Sequence, residues 1–142
     1  MYDPAKAVRD LLVTANVGQF NVATGWSIHV GDFPESPDTV ILCTVTGGRS
    51  PYPHLLINEP SVQVMVRGAK SGYEAASTKI RNVVDTLLGM NSTTLGGDVY
   101  RSCNQIGDVA YLSKDGNMRP IFVANFWFIV LPASGAGYRT PI

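Results

Sequence analysis

The chain has 142 residues, 45% of them apolar, and eleven basic side chains against eleven acidic ones, a formal net charge of zero. That length suits one domain with one buried core, and the apolar content excludes general disorder. Neutral charge without a cluster of Lys or Arg argues against a tight nucleic-acid binder, and it does little to oppose self-association.

Asp3 followed by Pro4 is a helix-start pair, an N-cap acid and then a proline at the first helical position. Ala7, Val8, Leu11, Leu12 and Ala15 continue as a helical stripe, so a first helix is predicted from Pro4 to about Val17, with Gly18 as its stop. From Gly25 to Val30, Trp26, Ile28 and Val30 alternate with Ser27 and His29, the period of a half-buried strand. GDFPESPD, residues 31 to 38, reads as a solvated acidic loop. Its Asp32, Glu35 and Asp38 lack the spacing of a calcium loop. Thr39 to Val45 is β-rich on both faces and reads as an interior strand. Gly47 to Pro53 then breaks regular structure, and His54 to Ile57 reads as a short strand before Pro60.

Residues 61 to 89 form the centre of the chain. Val62, Val64 and Val66 point one way and Gln63, Met65 and Arg67 the other, a strand. The period then changes: Tyr73, Ala76, Ile80, Val83, Val84, Leu87 and Leu88 form one apolar stripe on a helix. Ser71 and Glu74 have the spacing of a capping box, and Gly89 is placed for a left-handed helix stop. Residues 91 to 97 read as a flexible connection. Val99 to Leu112 reads as extended, bent at Gly107. Asp115-Gly116 signals a hairpin, and Ile121 to Leu131 returns as a long strand. Phe122, Phe126 and Phe128 share one of its faces, Val123, Trp127 and Ile129 the other, which predicts a central strand covered on both sides.

These elements predict an α+β fold: a single domain over residues 1–132, a twisted, mainly antiparallel or mixed sheet flanked by two α-helices. A flexible tail is predicted for 133–142. No apolar run approaches the roughly 20 residues of a membrane span. Met1 to Pro4 has neither the basic start nor the apolar run of a signal peptide. Cys43 and Cys103 are therefore expected as free thiols in a reducing compartment.

No phosphate loop, dinucleotide fingerprint or nucleophile elbow occurs. His29 and His54 are not spaced with Cys or carboxylates as metal ligands, so no catalytic residue, metal or cofactor is predicted. Arg119 to Phe126 faintly echoes an RNA-recognition strand but fails at Pro120 and Ile121, leaving Phe122 and Phe126 as core. Long connections at 31–38, 46–54, 90–97 and 132–142 suit a protein whose loops meet partners. Arg49 and Tyr52, types favoured at interfaces, are the predicted subunit or partner contacts, with His54 beside them.

The order of motifs carries more than any one of them. Gly47, Gly48 and Pro51 precede the strand Val62 to Gly68. Tyr73 and Ala76 follow on a helix, then Gly107 to Leu112, Asp115-Gly116, Arg119-Pro120 and Asn125-Phe126. In this order the chain resembles the minor capsid, or tail-terminator-like, proteins of long-tailed bacteriophages, from the first helix to about Pro132. The resemblance implies a twisted sheet flanked by helices and a homo-oligomeric ring, a hexamer, on top of the finished tail tube. Such a ring would stop tube growth, contact the major tail tube protein and face the head-completion or connector proteins. DNA would pass through its lumen without specific binding. The place implied is the head-proximal end of the virion tail, after assembly in the host cytoplasm, with no membrane contact. A head-completion or adaptor protein at the same junction is the alternative. A third reading is a small-ligand or enzymatic α+β domain using Cys43 or His29.

Overall fold

A computed structural model describes residues 2–52 and 55–133. The predicted tail from 134 onward and His54 lie outside the described residues. Two helices and a seven-stranded mixed sheet make up one α+β domain.

Helix α1 spans Pro4–Thr14, and the Lys6 amide donates to the Asp3 carboxylate at its start. It ends before the predicted Gly18. Asn16 takes the left-handed conformation (φ 61°), and the Val17 and Asn16 amides donate to the carbonyls of Leu12 and Val13. This is a Schellman stop, which asparagine can supply in place of glycine. Gly18 serves packing: a Cβ there would lie 2.8 Å from the Trp26 carbonyl oxygen.

Strands β1 (Gln19–Phe20), β2 (Ser27–Val30), β3 (Val40–Gly48) and β4 (Pro60–Arg67) follow, then α2 (Tyr73–Leu88). Last come β5 (Thr93–Leu95), β6 (Asp98–Lys114) and β7 (Pro120–Leu131). The sheet order is β1-β2-β3-β4-β7-β6-β5. β1 with β2 and β2 with β3 are parallel, the remaining pairs antiparallel. β3 and β7 are interior, as predicted. The predicted short strand after His54 is not formed; only Asn58 bridges to Val130. The predicted flexible stretch 91–97 contains β5, turned into β6 by Gly96 and Gly97, both at positive φ.

Helix α2 begins differently from the prediction. Gly72 is its N-cap, with no side-chain cap bond, and Ser71 lies one residue earlier in a left-handed conformation (φ 64°), outside the cap position. At the other end Gly89 keeps φ −85° and needs no left-handed turn. Ala76, Ile80, Val83, Val84 and Leu87 are buried, while Tyr73 and Leu88, at the ends of the stripe, remain exposed.

Both helices pack on one face of the sheet. Their buried residues share a cluster with Ile28, Ile41, Cys43, Val62, Val64, Val66 and the even-numbered side chains of β7 from Phe122 to Val130. Each such aliphatic or aromatic side chain contributes about 1.5–3 kcal/mol on burial. The prediction that β7 is covered on both sides is therefore corrected. On the opposite face no helix among the described residues lies over the sheet; Val123 is buried there, but Trp127 and Ile129 are only half-buried.

What covers the end of that second face is the loop 31–38, held by two arginines. Arg67 Nε donates to the Asp38 carbonyl (3.0 Å), and its Nη2 to the carbonyls of Pro34 (2.7 Å) and Pro37 (2.8 Å). Its guanidinium also lies 5.0 Å from the centre of the Phe33 ring. Arg119 Nη1 donates to the Glu35 carbonyl (2.7 Å) and to Asp38 Oδ1 (3.1 Å). Both arginines are buried. The loop is thus a structural layer on its backbone side, while the side chains of Asp32, Glu35 and Asp38 stay exposed to solvent, as predicted.

Candidate partner interface

The strands run between two unlike ends. At one end β3 runs out through Gly47 (φ 93°) and Gly48 (φ 106°) beside the first residues of β4. A register shift separates Val45 from Gly47. Glycine is required at 48: besides the positive φ, a Cβ would collide with the Glu59 carbonyl and lie 2.7 Å from the Ser61 amide. Backbone is thereby brought against backbone, and a shallow groove opens on each side. One, of about 320 Å³, is lined by Val45, Gly48, Arg49, Glu59 and Pro60 among others. The second, of about 300 Å³, adds Ser61, Ile106 and Trp127.

The predicted contact residues Arg49 and Tyr52 both sit on the connection leaving this end. The Arg49 amide donates to the Glu59 carbonyl (3.0 Å), but its side chain is 76% exposed and its guanidinium reaches Glu59 Oε2 only at 3.9 Å. An ion pair that long on an exposed arginine contributes little. The Glu59 side chain is itself only 11% exposed. Tyr52 is 43% exposed, and Val45, Leu55 and Ile106 are exposed as well. Glu59, Val45 and Ile106, which line these grooves, were not among the contacts read from sequence. The doubled glycine was the available signal, since two glycines ending a strand imply close backbone approach.

At the other end the hairpin 115–119 joins β6 to β7. Asp115 Oδ1 accepts from the amides of Asn117 and Arg119 (2.9 Å each), and its Oδ2 from Arg119 Nε (2.8 Å). Burial works against the Asp115 carboxylate, but the Arg119 and Asn117 bonds outweigh it and hold its pKa below the ordinary value. The loop is longer than the two-residue turn that Asp-Gly suggests, and Met118 (φ 63°), not Gly116, takes the left-handed position. Met118 is exposed, as are Tyr111, Leu112 and Lys114 nearby on β6. Tyr111 packs against Tyr73 and Phe122 with ring centres 5.3 Å away in each case.

Beyond Tyr100, β6 has no partner on its outer side among the described residues, since β5 pairs only with Asp98, Val99 and Tyr100. Such an edge invites pairing. Here it is interrupted, as predicted, at Gly107 (φ 69°), between the paired residues Ile106 and Ala110. Asp108 in this bulge accepts from Arg81 (3.0 Å) and from the Val109 amide.

The Cys43–His29 pair considered from sequence is not formed. Val30, not His29, lies beside Cys43 in the sheet, so the thiol faces the helices and the imidazole the other side. Burial pushes the Cys43 thiol up to about 12, the opposite of an activated thiolate. Burial, then the charge of Arg67, lowers the His29 pKa, and its Nε2 lies 2.7 Å from Ser27 Oγ. Cys103 is also a free thiol pushed up to about 12 by burial. Among the described residues no group of three or more His, Cys, Asp or Glu is placed to hold a metal ion, and no helix is long and apolar enough to cross a membrane.

The family model described as bacteriophage tail terminator protein matches residues 10–132. The chain belongs to that family. The match runs from α1 to the residue after β7, so both ends of the strands described above lie inside it. No curated protein matches the chain by sequence. Membership makes this tail terminator a structural protein of the phage tail and associates it with the virion.

Proposed function

We propose that this tail terminator closes into a ring of identical subunits, a hexamer, on the end of the completed tail tube. There it stops addition of the major tail tube protein and offers its outer surface to a head-completion or connector protein. The DNA passes through the lumen. Family membership over residues 10–132 is the observation that carries this reading. A cyclic ring needs two different surfaces on each subunit, one meeting the other on the neighbour. The groove end at Gly48 and Glu59 and the hairpin end at Met118 are two such surfaces, unlike in shape and composition. A net charge of zero also fits a lumen that does not grip phosphates, because a gripping surface needs a basic excess.

The experiment is tail assembly with and without the chain, read as tube length by electron microscopy. The reading predicts uniform tubes that join filled heads when the protein is present, and overgrown tubes of mixed length that fail to join when it is absent. Uniform, head-joined tubes in its absence would overturn it. Density for the protein against the portal instead of the tube would transfer it to a head-completion role.

A further inference from the structure

Asp3, Lys6 and Asp10 follow one another along α1 at three- and four-residue steps, so they share one face of the helix. That face borders a pocket of about 120 Å³, walled on its other side by Leu95 of β5 and by Asp98 and Tyr100 of β6. Three carboxylates thus meet around one space with a single lysine beside them.

Their partners are unevenly distributed. Asp10 is taken by Arg9 (3.1 Å). Asp3 accepts from the Lys6 amide (3.3 Å), but neither it nor the Lys6 ammonium makes an ion pair among the described residues. Asp98 is only 2% exposed. Its Oδ1 accepts from the Ala133 amide (2.8 Å), and no cation reaches it among the described residues.

Tyr100 is buried against the same pocket. It is fully withdrawn from solvent, and its hydroxyl meets no hydrogen-bond partner among the described residues. Burial, then the charges of Tyr2, Asp98 and Asp3, raise its pKa, which sets the hydroxyl close to two of the pocket's carboxylates. A buried acceptor without a donor is unfavourable, and a buried carboxylate without a cation more so. A guanidinium answers both, with five donors, no acceptor and a fixed positive charge. It is also more weakly hydrated than an ammonium, so it leaves water more readily.

We propose that this pocket is a binding site for a guanidinium group, paired with Asp98 and Asp3 and bonded to the Tyr100 hydroxyl. The site goes beyond the ring reading and does not rest on it. Two sources share this chemistry. One is Arg139 of the same chain, six residues after the alanine whose amide Asp98 holds; six residues span up to about 20 Å, ample for a return to Asp98. The other is an arginine of a partner. Tyr2 and Pro4, on either side of Asp3, line the groove beside Gly48, so the pocket adjoins the candidate interface.

The test is titration of the full chain with methylguanidinium, followed through the NMR shifts of the Asp98 and Tyr100 amides. Methylurea, its neutral counterpart of similar shape, is the control. Wild type and Arg139→Gln are compared. The expected result is a saturable shift with methylguanidinium and none with methylurea. If Arg139 fills the site, wild type resists the probe and Arg139→Gln admits it; if a partner's arginine fills it, the two proteins bind alike. In Arg139→Gln, adding Asp98→Asn should weaken binding about tenfold or more, the worth of one charge-assisted bond. The new amide oxygen can still accept from Ala133, and thermal unfolding checks that the fold is kept. Asp3→Asn, which still caps the helix, should also weaken binding. Absence of a saturable shift in both proteins, binding that ignores Asp98→Asn, or an equal response to methylurea would overturn the site.

Discussion

Two proline-containing connections, 31–38 and 49–52, read alike in the sequence and behave as opposites in the fold. Both are polar and irregular, and each has an arginine against it. Arg67 is buried under the first and gives its protons to three carbonyl oxygens. Arg49 stands on the second, 76% exposed, with one carboxylate at 3.9 Å. The same side chain type thus builds structure where it is desolvated and fully bonded, and leaves a surface open where it is not. A guanidinium out of water has to satisfy its donors locally, which commits the loop around it. An exposed one commits nothing, so its binding capacity remains for a neighbour.

The largest effect should come from breaking the first loop. Arg67→Met removes three charge-assisted bonds and leaves carbonyl oxygens without donors. We expect a loss of about 3 kcal/mol or more, measured as a lower urea midpoint. A change below about 0.5 kcal/mol, the usual range of a surface site, would erase the contrast between the loops.

A smaller effect should follow pH. The folded pKa of Asp115 is depressed below its ordinary value of 3.8. Its contribution is therefore complete above that ordinary value and is lost as the pH falls through the folded one. Wild type should lose stability across that acid window, and Asp115→Asn should flatten this part of the curve. Equal pH profiles for the two proteins would mean that Asp115 does not hold the hairpin.

The smallest effect on stability should come from Arg49→Ala, under about 0.5 kcal/mol by urea titration. The same substitution together with Tyr52→Ala should weaken association on tubes, read as tubes of uneven length. A variant that folds poorly would instead make Arg49 structural, like Arg67.

The contrast was not legible in the chain itself, although much of the fold was. Period-2 alternation over Val62 to Arg67 and the 3.6-residue stripe from Ala76 to Leu87 are local signals, and both elements formed where they predicted. Alternation also placed Arg67 opposite the valines, correctly. It carried no sign that this side would be roofed, because the carbonyls that bind Arg67 come from residues about thirty positions earlier. The capping box at Ser71 failed for the converse reason: the spacing was present, but the turn from Ala69 to Gly72 took the backbone elsewhere. Of the predicted contacts, Arg49 and Tyr52 stand together at the open end, and His54 lies outside the described residues.

Hydrogen exchange of the free chain against the chain on tail tubes tests most directly whether one end of this sheet is built and the other awaits partners. The account predicts the same exchange in both states for the Arg67-bound loop 31–38, whose contacts are made within the chain. For 46–52 it predicts stronger protection on the tubes than in the free chain. Equal protection of 46–52 in the two states would contradict it.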